Sequence, residues 1–244
     1  MKLYILGCGD AFGSGGRNQS GYLVEASDRL FLLDCGPTSL LAMKKLGFDS
    51  GRLDVIFLSH LHGDHFAGLP FFFIEYLYEK HRERPLHVAG PVGTEEKARG
   101  LFSLMYGKGA QAEDLPPNCF HILQPGRTAT IREIEVFSFR VPHQVNEVSL
   151  ALKLSYGGKR ILFSGDSAWT DAFVEHAQGV DVFVCECTYY DQQTSNHMSY
   201  LQLRDELPRL GCRRIILTHM GTDMLARSAE ITCAMAQDGM VVEI

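Results

Sequence analysis

Four short runs of β-branched and aliphatic residues open the chain: KLYILG (2–7), GYLVEA (21–26), RLFLLD (29–34) and LDVIFLSH (53–60). Each is stopped by Gly, Asp or Ser, the punctuation expected of successive strands in a sheet. Apolar residues then recur at three- and four-residue intervals among Lys, Glu and Arg near 38–47, 66–82 and 94–107, which predicts helices covering one face of that sheet. After the Pro116-Pro117 break the plan repeats. Strands are expected near 120–123, 134–140, 148–155, 160–164 and 181–187, and helices near 168–177 and 199–210. The chain thus reads as one domain, 1–244, of two similar halves, about 1–115 and 116–244. A short echo agrees with this: Ile56-Phe57-Leu58-Ser59-His60 and Ile215-Ile216-Leu217-Thr218-His219 both run an apolar strand into a hydroxyl residue and a histidine. Both histidines would emerge at strand ends, where α/β proteins place their chemistry.

Composition narrows the function classes. With 45% hydrophobic and 21% charged residues, the 244-residue chain belongs with globular domains rather than disordered or fibrous ones. Its net charge of −6 supplies no global positive field for a long nucleic acid, so an anionic substrate must be attracted locally. The seven cysteines have no tandem Cys-x-x-Cys spacing and fit reduced thiols in a cytoplasmic protein. The opening MKLYILGCGD is broken by Gly7 and Gly9 too early for a signal-peptide core, and no apolar run reaches the roughly 18 residues of a membrane span.

The densest chemical signal is His60-Leu61-His62-Gly63-Asp64-His65. Three imidazoles and a carboxylate directly after a buried strand are the ligand set of zinc and comparable first-row metals, and they leave coordination positions open for water. Residues two apart on extended chain share a side, so His60 and His62 face together, while Asp64 and His65 sit where a helix begins. Two neighbouring metals are easier to serve than one. Downstream, His143, Asp166 and His219 each lie just past a predicted strand and extend the set.

In order and spacing, residues 60–65, 143, 166 and 219 resemble the His-x-His-x-Asp-His motif, third His, bridging Asp and last His of the metallo-β-lactamase superfamily. The resemblance spans nearly the whole chain. It implies an α/β (α+β) fold, a four-layer αββα sandwich of two mixed sheets, with two divalent metals at the rim. It further implies that His60, His62 and His143 hold one metal, that Asp64, His65 and His219 hold the other, and that Asp166 bridges them. Zinc is the first choice of metal, with manganese or iron as alternatives. The Asp34-Cys35-Gly36 segment resembles the superfamily's structural Asp-x-Gly, so Asp34 is expected to support the ligand loop through hydrogen bonds.

Glu186 in Cys185-Glu186-Cys187-Thr188 and His197 in Asn196-His197-Met198-Ser199 resemble the Glu and the Gly-His-Ser-Thr-like histidine of ribonuclease Z and related phosphodiesterases, with Asn196 in place of the glycine. Such a carboxylate would hold the imidazole protonated, and the imidazole would steady a phosphoryl oxygen or protonate a leaving group. Asp64, Glu186 and His197 are therefore the catalytic expectations, and His197 and Arg17 the substrate-binding ones. Arg17 follows the permissive run Gly13-Ser14-Gly15-Gly16, from which it could reach a phosphate.

Two dications, two ligand carboxylates and a hydroxide sum to about +1, which suits a phosphodiester monoanion attacked in line by metal-bound hydroxide. Ribonuclease Z carries a Gly/Pro-rich basic arm, usually between the third His and the bridging Asp. Here only about 20 residues separate His143 from Asp166. The expected substrate is accordingly a small phosphodiester or nucleotide of the cyclic phosphate type rather than long nucleic acid. The alternatives are a ribonuclease Z-like tRNA 3′-processing endonuclease, a lactone, ester or thioester hydrolase on the same scaffold, and a non-catalytic nucleotide sensor. Phe71, Phe72, Phe73, Tyr76, Leu77 and Tyr78 make a helix apolar all round, so part of it is expected to meet a partner subunit or roof the site, with plain core as the alternative. The resemblance implies dimerisation through helices that follow the first metal motif, and on these two grounds a homodimer is expected. Trp169 is a candidate pocket wall.

Overall fold

A computed structural model of the chain describes residues 1–80, 82, 84–107 and 118–244; the Pro116-Pro117 break lies outside them. Alternation of side chains along each strand decides the layers. On β2 (Gly21–Glu25), Tyr22 and Val24 enter one buried cluster while Leu23 enters another. The same split runs through β4 (Val55–Phe57), where Val55 and Phe57 face inward and Ile56 outward. These strands are apolar on both sides because each sheet is covered on both.

The first sheet has seven strands among the described residues, ordered β14-β1-β2-β3-β4-β5-β6, with β1 at Lys2–Gly7, β3 at Leu30–Leu33, β5 at Leu86–Gly90, β6 at Asn118–Ile122 and β14 at Val241–Glu243. The second runs β13-β12-β11-β10-β9-β8-β7, from β7 (Arg127–Ile131), β8 (Ile134–Arg140) and β9 (Leu150–Tyr156) through β10 (Lys159–Phe163) and β11 (Val182–Glu186) to β12 (Ile215–Thr218) and β13 (Ala234–Met235). In each, an antiparallel portion gives way to a parallel one, at the β3–β4 and β10–β11 pairs. A central core that includes Phe31, Phe57, Leu152, Phe163 and Val184 fills the space between the sheets. Helices α1 (Ser39–Lys45), α3 (Leu69–Glu75) and α4 (Thr94–Tyr106) cover the outer face of the first sheet. The outer face of the second is covered by α5 (Ala172–His176), α6 (Tyr200–Glu206) and α7 (Thr222–Ala226). This is the expected four-layer αββα sandwich.

Several local expectations change. The helix expected over 66–82 is divided into α2 (Gly63–Phe66), α3 and a π-helical turn at Tyr76–Lys80. Gly68 separates the first two because a Cβ there would lie 2.3 Å from the Gly36 carbonyl oxygen, and Pro70 starts the second. Phe72, Phe73 and Tyr76 are buried in the chain's own core, whereas Tyr78 is exposed. Trp169 is partly buried against the outer core of the second sheet. Strands β7, β13 and β14 carry too few alternating apolar residues to have been read from pattern, whereas β5, Leu86-His87-Val88-Ala89-Gly90, does alternate and is a strand the sequence reading omits. β6 and β14, both from the second half of the sequence, pair into the first sheet. The Ile56–His60 and Ile215–His219 echo falls on β4 and β12, which occupy different places in their sheets; the strand in the position of β4 is β11.

Candidate metal centre

The site lies where β3, β4, β10, β11 and β12 end at one rim. Asp34 follows β3 in a left-handed conformation, φ 54°. Its Oδ1 accepts the Ser59 amide at 2.8 Å, and its Oδ2 accepts the Ser59 hydroxyl at 2.8 Å and His65 Nδ1–H at 2.6 Å. One buried carboxylate thus ties the end of β4 to α2 and aims His65, the supporting role expected of it. Gly165, φ 58°, turns the chain from β10 to Asp166; a Cβ there would stand 2.7 Å from Ser59 Cβ. His219, after β12, is also left-handed, φ 56°, and its amide donates to the Cys8 carbonyl at 3.0 Å. Such conformations are costly for residues other than glycine and gather at functional sites.

These turns bring all seven predicted metal residues together. Ligand-capable atoms of His60, His62, His143 and Asp166 lie within 4.8 Å of one another, as do those of Asp64, His65, Asp166 and His219, so Asp166 is common to both groups. Asp166 Oδ2 is 3.2 Å from His65 Nε2, 3.3 Å from His219 Nε2, 3.8 Å from His60 Nε2 and 3.9 Å from His143 Nε2. Asp64 Oδ2 reaches His65 Nε2 at 3.1 Å and His219 Nε2 at 3.3 Å.

The outward nitrogens show what the inward ones are for. His65 Nδ1 donates to Asp34, His143 Nδ1 to the Asn196 carbonyl at 2.8 Å, and His60 Nδ1 and His219 Nδ1 meet the hydroxyls of Ser59 and Thr188, each at 3.0 Å. With the outward nitrogen so engaged, Nε2 is the atom that each of these four imidazoles turns to the interior, where it would present its lone pair to a cation. His65 Nε2 is fully buried and has no hydrogen-bond partner, a costly state for a polar atom unless a cation completes it. The donor set of neutral imidazoles and two carboxylates fits divalent cations.

Charge is concentrated accordingly. Burial pushes His60 well below the usual histidine range. Burial also opposes a proton on His219, but Asp166 and Asp64 overcome it and raise that imidazole to about 9. For Asp166, burial is outweighed by His219 and His65, which hold the carboxyl well below the usual range.

Beside this centre stand Glu186 and His197. Glu186 Oε1 accepts His197 Nδ1–H at 2.7 Å and the Ser167 amide at 3.0 Å; Oε2 accepts the amide and hydroxyl of Thr188 at 3.0 and 3.1 Å. Burial works against a charge on His197, and the Glu186 carboxylate reverses it, so its pKa is raised. The His197 and His219 rings stack at 5.5 Å, which puts the dyad against the second ligand group.

Of the predicted site residues, Arg17 stands apart. Its Nη1 donates to the Ala236 carbonyl at 2.7 Å and lies 3.3 Å from Cys8 Sγ, because the left-handed glycines 13, 15 and 16 fold the loop toward the C-terminal segment. Pattern did not single out Thr188, which joins Glu186 to His219, nor Ser59, which joins Asp34 to His60. Their adjacency to Glu186 and His60 in sequence was the available signal. Gln144, next to His143, was also unmarked; its side-chain amide lies 2.5 Å from His62 Nε2.

Comparison with known proteins gives the family and the fold. The chain is 26% identical over 231 residues to the probable metallo-hydrolase YhfI of Bacillus subtilis, covering 90% of this chain and 87% of that protein. The crystal structure of YhfI, described as a metallo-β-lactamase fold protein, superposes with a TM-score of 0.80 at 22% identity over 99% of this chain and 98% of that one. Ribonuclease Z of Lachnoclostridium phytofermentans is 24% identical over 272 residues, with 90% and 87% coverage. A diphosphatase of the PhnP family has the same fold, with a TM-score of 0.78 at 17% identity and coverage of 100% and 97%. The family model described as anti-Pycsar protein Apyc1 matches residues 1–240, nearly the full length. With its αββα sandwich and clustered His and Asp side chains, the chain belongs to the anti-Pycsar protein Apyc1 family, on the metallo-β-lactamase fold.

Proposed function

We propose that the protein is a dinuclear metal-dependent phosphodiesterase acting on a small phosphodiester or nucleotide of the cyclic phosphate type. The observation that carries this reading is the Glu186–His197 pair, 2.7 Å apart and stacked against His219 at the edge of the ligand groups. An ester or lactone hydrolase has no evident use for a second, carboxylate-held imidazole there.

His60, His62 and His143 would hold one cation, Asp64, His65 and His219 the other, and Asp166 both; zinc, manganese and iron suit these donors. Bound dications supply Lewis acidity and bring the pKa of water down toward about 7. The chain's own contribution is charge and position. Glu186 keeps His197 cationic, so the imidazolium binds a non-bridging phosphoryl oxygen and then gives its proton to the leaving alkoxide. With Nδ1 committed to Glu186, Nε2 is the atom that donates. Asp34 and Ser59 keep the ligand loop from shifting as charge develops.

Small substrates are favoured by the interval between His143 and Asp166. It is taken up by β9 and β10, joined by the two-residue Gly157-Gly158 turn. A basic arm for folded RNA has no room at that place, and the net charge of −6 gives no global positive field in its stead. The likeness to ribonuclease Z sustains the second reading, a tRNA 3′-processing endonuclease.

The test is a parallel assay of the metal-loaded protein on bis-p-nitrophenyl phosphate, cyclic mononucleotides, a precursor tRNA and a lactone. Turnover of the first two, abolished by a chelator and by Asp166→Ala, is expected. Cleavage of the precursor tRNA alone would transfer the reading to RNA processing, and lactone turnover alone would end it.

A further inference from the structure

Four of the five clustered histidines have their outward nitrogen held by Asp34, Ser59, Thr188 or the Asn196 carbonyl, and His62 is the exception in form. It is turned the other way round: Nδ1 faces the cluster, 3.1 Å from His60 Nε2 and 3.1 Å from His143 Nε2, and Nε2 points out. The contact made by that outward nitrogen is the side-chain amide of Gln144, at 2.5 Å, whose Oε1 accepts from the Ser149 hydroxyl at 3.4 Å.

Coordination through Nδ1 leaves a neutral imidazole only one place for its proton, Nε2, and because His62 is exposed, that N–H fixes the ring's tilt only where a side chain rather than mobile water accepts it. A carboxamide carries an acceptor and a donor at its two ends, and a serine hydroxyl can serve as either. A half-turn of the Gln144 amide therefore gives Oε1 to His62 Nε2–H and its NH2 group to Ser149 Oγ, with no bond lost. A carboxylate could not satisfy both partners in both orientations.

We propose that Gln144 is the positioning residue of His62, an amide that turns its oxygen to the imidazole when the His60–His62–His143 group takes up a divalent cation. It touches neither substrate nor cation and acts through the tautomer and tilt of one ring. The inference rests on the dinuclear reading above.

Zn2+ affinity, measured by competition with a chromophoric chelator, tests it on the folded full chain. The parent is expected to hold two Zn2+ per chain. Gln144→Ala should retain its circular dichroism spectrum yet hold one of the two about 10–100-fold more weakly, the usual effect of removing an outer partner of a ligand histidine. Gln144→Glu, which keeps an acceptor opposite Nε2–H, should bind both as tightly as the parent. In the Co2+-loaded protein, the paramagnetically shifted His62 N–H proton should exchange with solvent faster in Gln144→Ala than in the parent. Parental Zn2+ affinity in Gln144→Ala, or equal weakening in both variants, overturns the role of Gln144 while leaving the dinuclear reading intact. A parent that binds no Zn2+ under these conditions overturns the reading beneath it as well.

Discussion

At the scale of single residues, the site is organised by groups whose outward hydrogen bonds decide what their inward atoms can do. Glu186 is surrounded by donors: Ser167, Thr188, Met198 and His197 all direct N–H or O–H groups at its two oxygens. Replacing it by glutamine sets an NH2 group against these donors and removes the charge that raises His197. A histidine raised in this way donates while protonated and stops as pH climbs through its pKa. The alkaline limb of the kcat profile should therefore move to lower pH in Glu186→Gln. His197→Ala should lower kcat by about 10²–10⁴ on a substrate with an alkoxide leaving group. On bis-p-nitrophenyl phosphate, whose leaving group needs no proton, the loss should be much smaller. Equal losses on the two substrates would remove His197 from the role of acid.

At the scale of elements, the rim is created by strands that stop and turn abruptly. β3 is followed by Asp34 and β12 by His219, both left-handed, and two residues past β10 stands Gly165, where even a methyl group would meet Ser59. Gly165→Ala combines an unfavourable φ with that clash and should displace Asp166 from both ligand groups. Bound metal per chain, measured by elemental analysis after gel filtration, should fall below parental content even where the fold survives. Beneath the rim, Leu152 on β9 is buried between the two sheets. Leu152→Ala should cost about 2–5 kcal/mol, read from the midpoint of urea unfolding. Elements of this kind were legible in sequence where apolar residues filled both faces. They were not legible at β7, where Arg127-Thr128-Ala129-Thr130-Ile131 is an edge strand with little to bury, nor at β13 and β14, short strands that pairing partners hold in place.

For the molecule as a whole, the ligand groups join segments from residue 60 to residue 219, so their charge balance should bear on the stability of the fold. In the chelated protein, protons on His65 and His219 stand in for cations against Asp64 and Asp166. Both histidines are raised, His219 to about 9, and both carboxylates are depressed. The carboxylate contribution is present above their unfolded pKa of about 4 and fades in acid; the histidine contribution is complete below about 6.5 and is lost as pH rises, that of His219 through about 9. The chelated protein should therefore melt at a lower temperature at pH 9 than at pH 6, by differential scanning calorimetry. The metal-loaded protein should melt higher than the chelated one at both values. A chelated protein equally stable at the two would refute this charge balance. Among the described residues no helix is long and apolar enough to cross a membrane.

What sequence alone determined is the part of the protein that local chemistry dictates. Strands buried on both faces, the Gly-punctuated turns, the dense His60–His65 cluster and the isolated His143, Asp166 and His219 after strands are all written in composition and period, since each depends on neighbours a few residues away. Tertiary structure decided the rest. It took β6 and β14 into the first sheet, turned Arg17 toward Ala236 and buried Phe72, Phe73 and Tyr76 in the chain's own core. It also put Ser59, Thr188 and Gln144 behind the histidines. A hydrogen-bond partner distant in sequence leaves no periodic trace, because its place is set by the packing of two sheets rather than by the residues on either side of it.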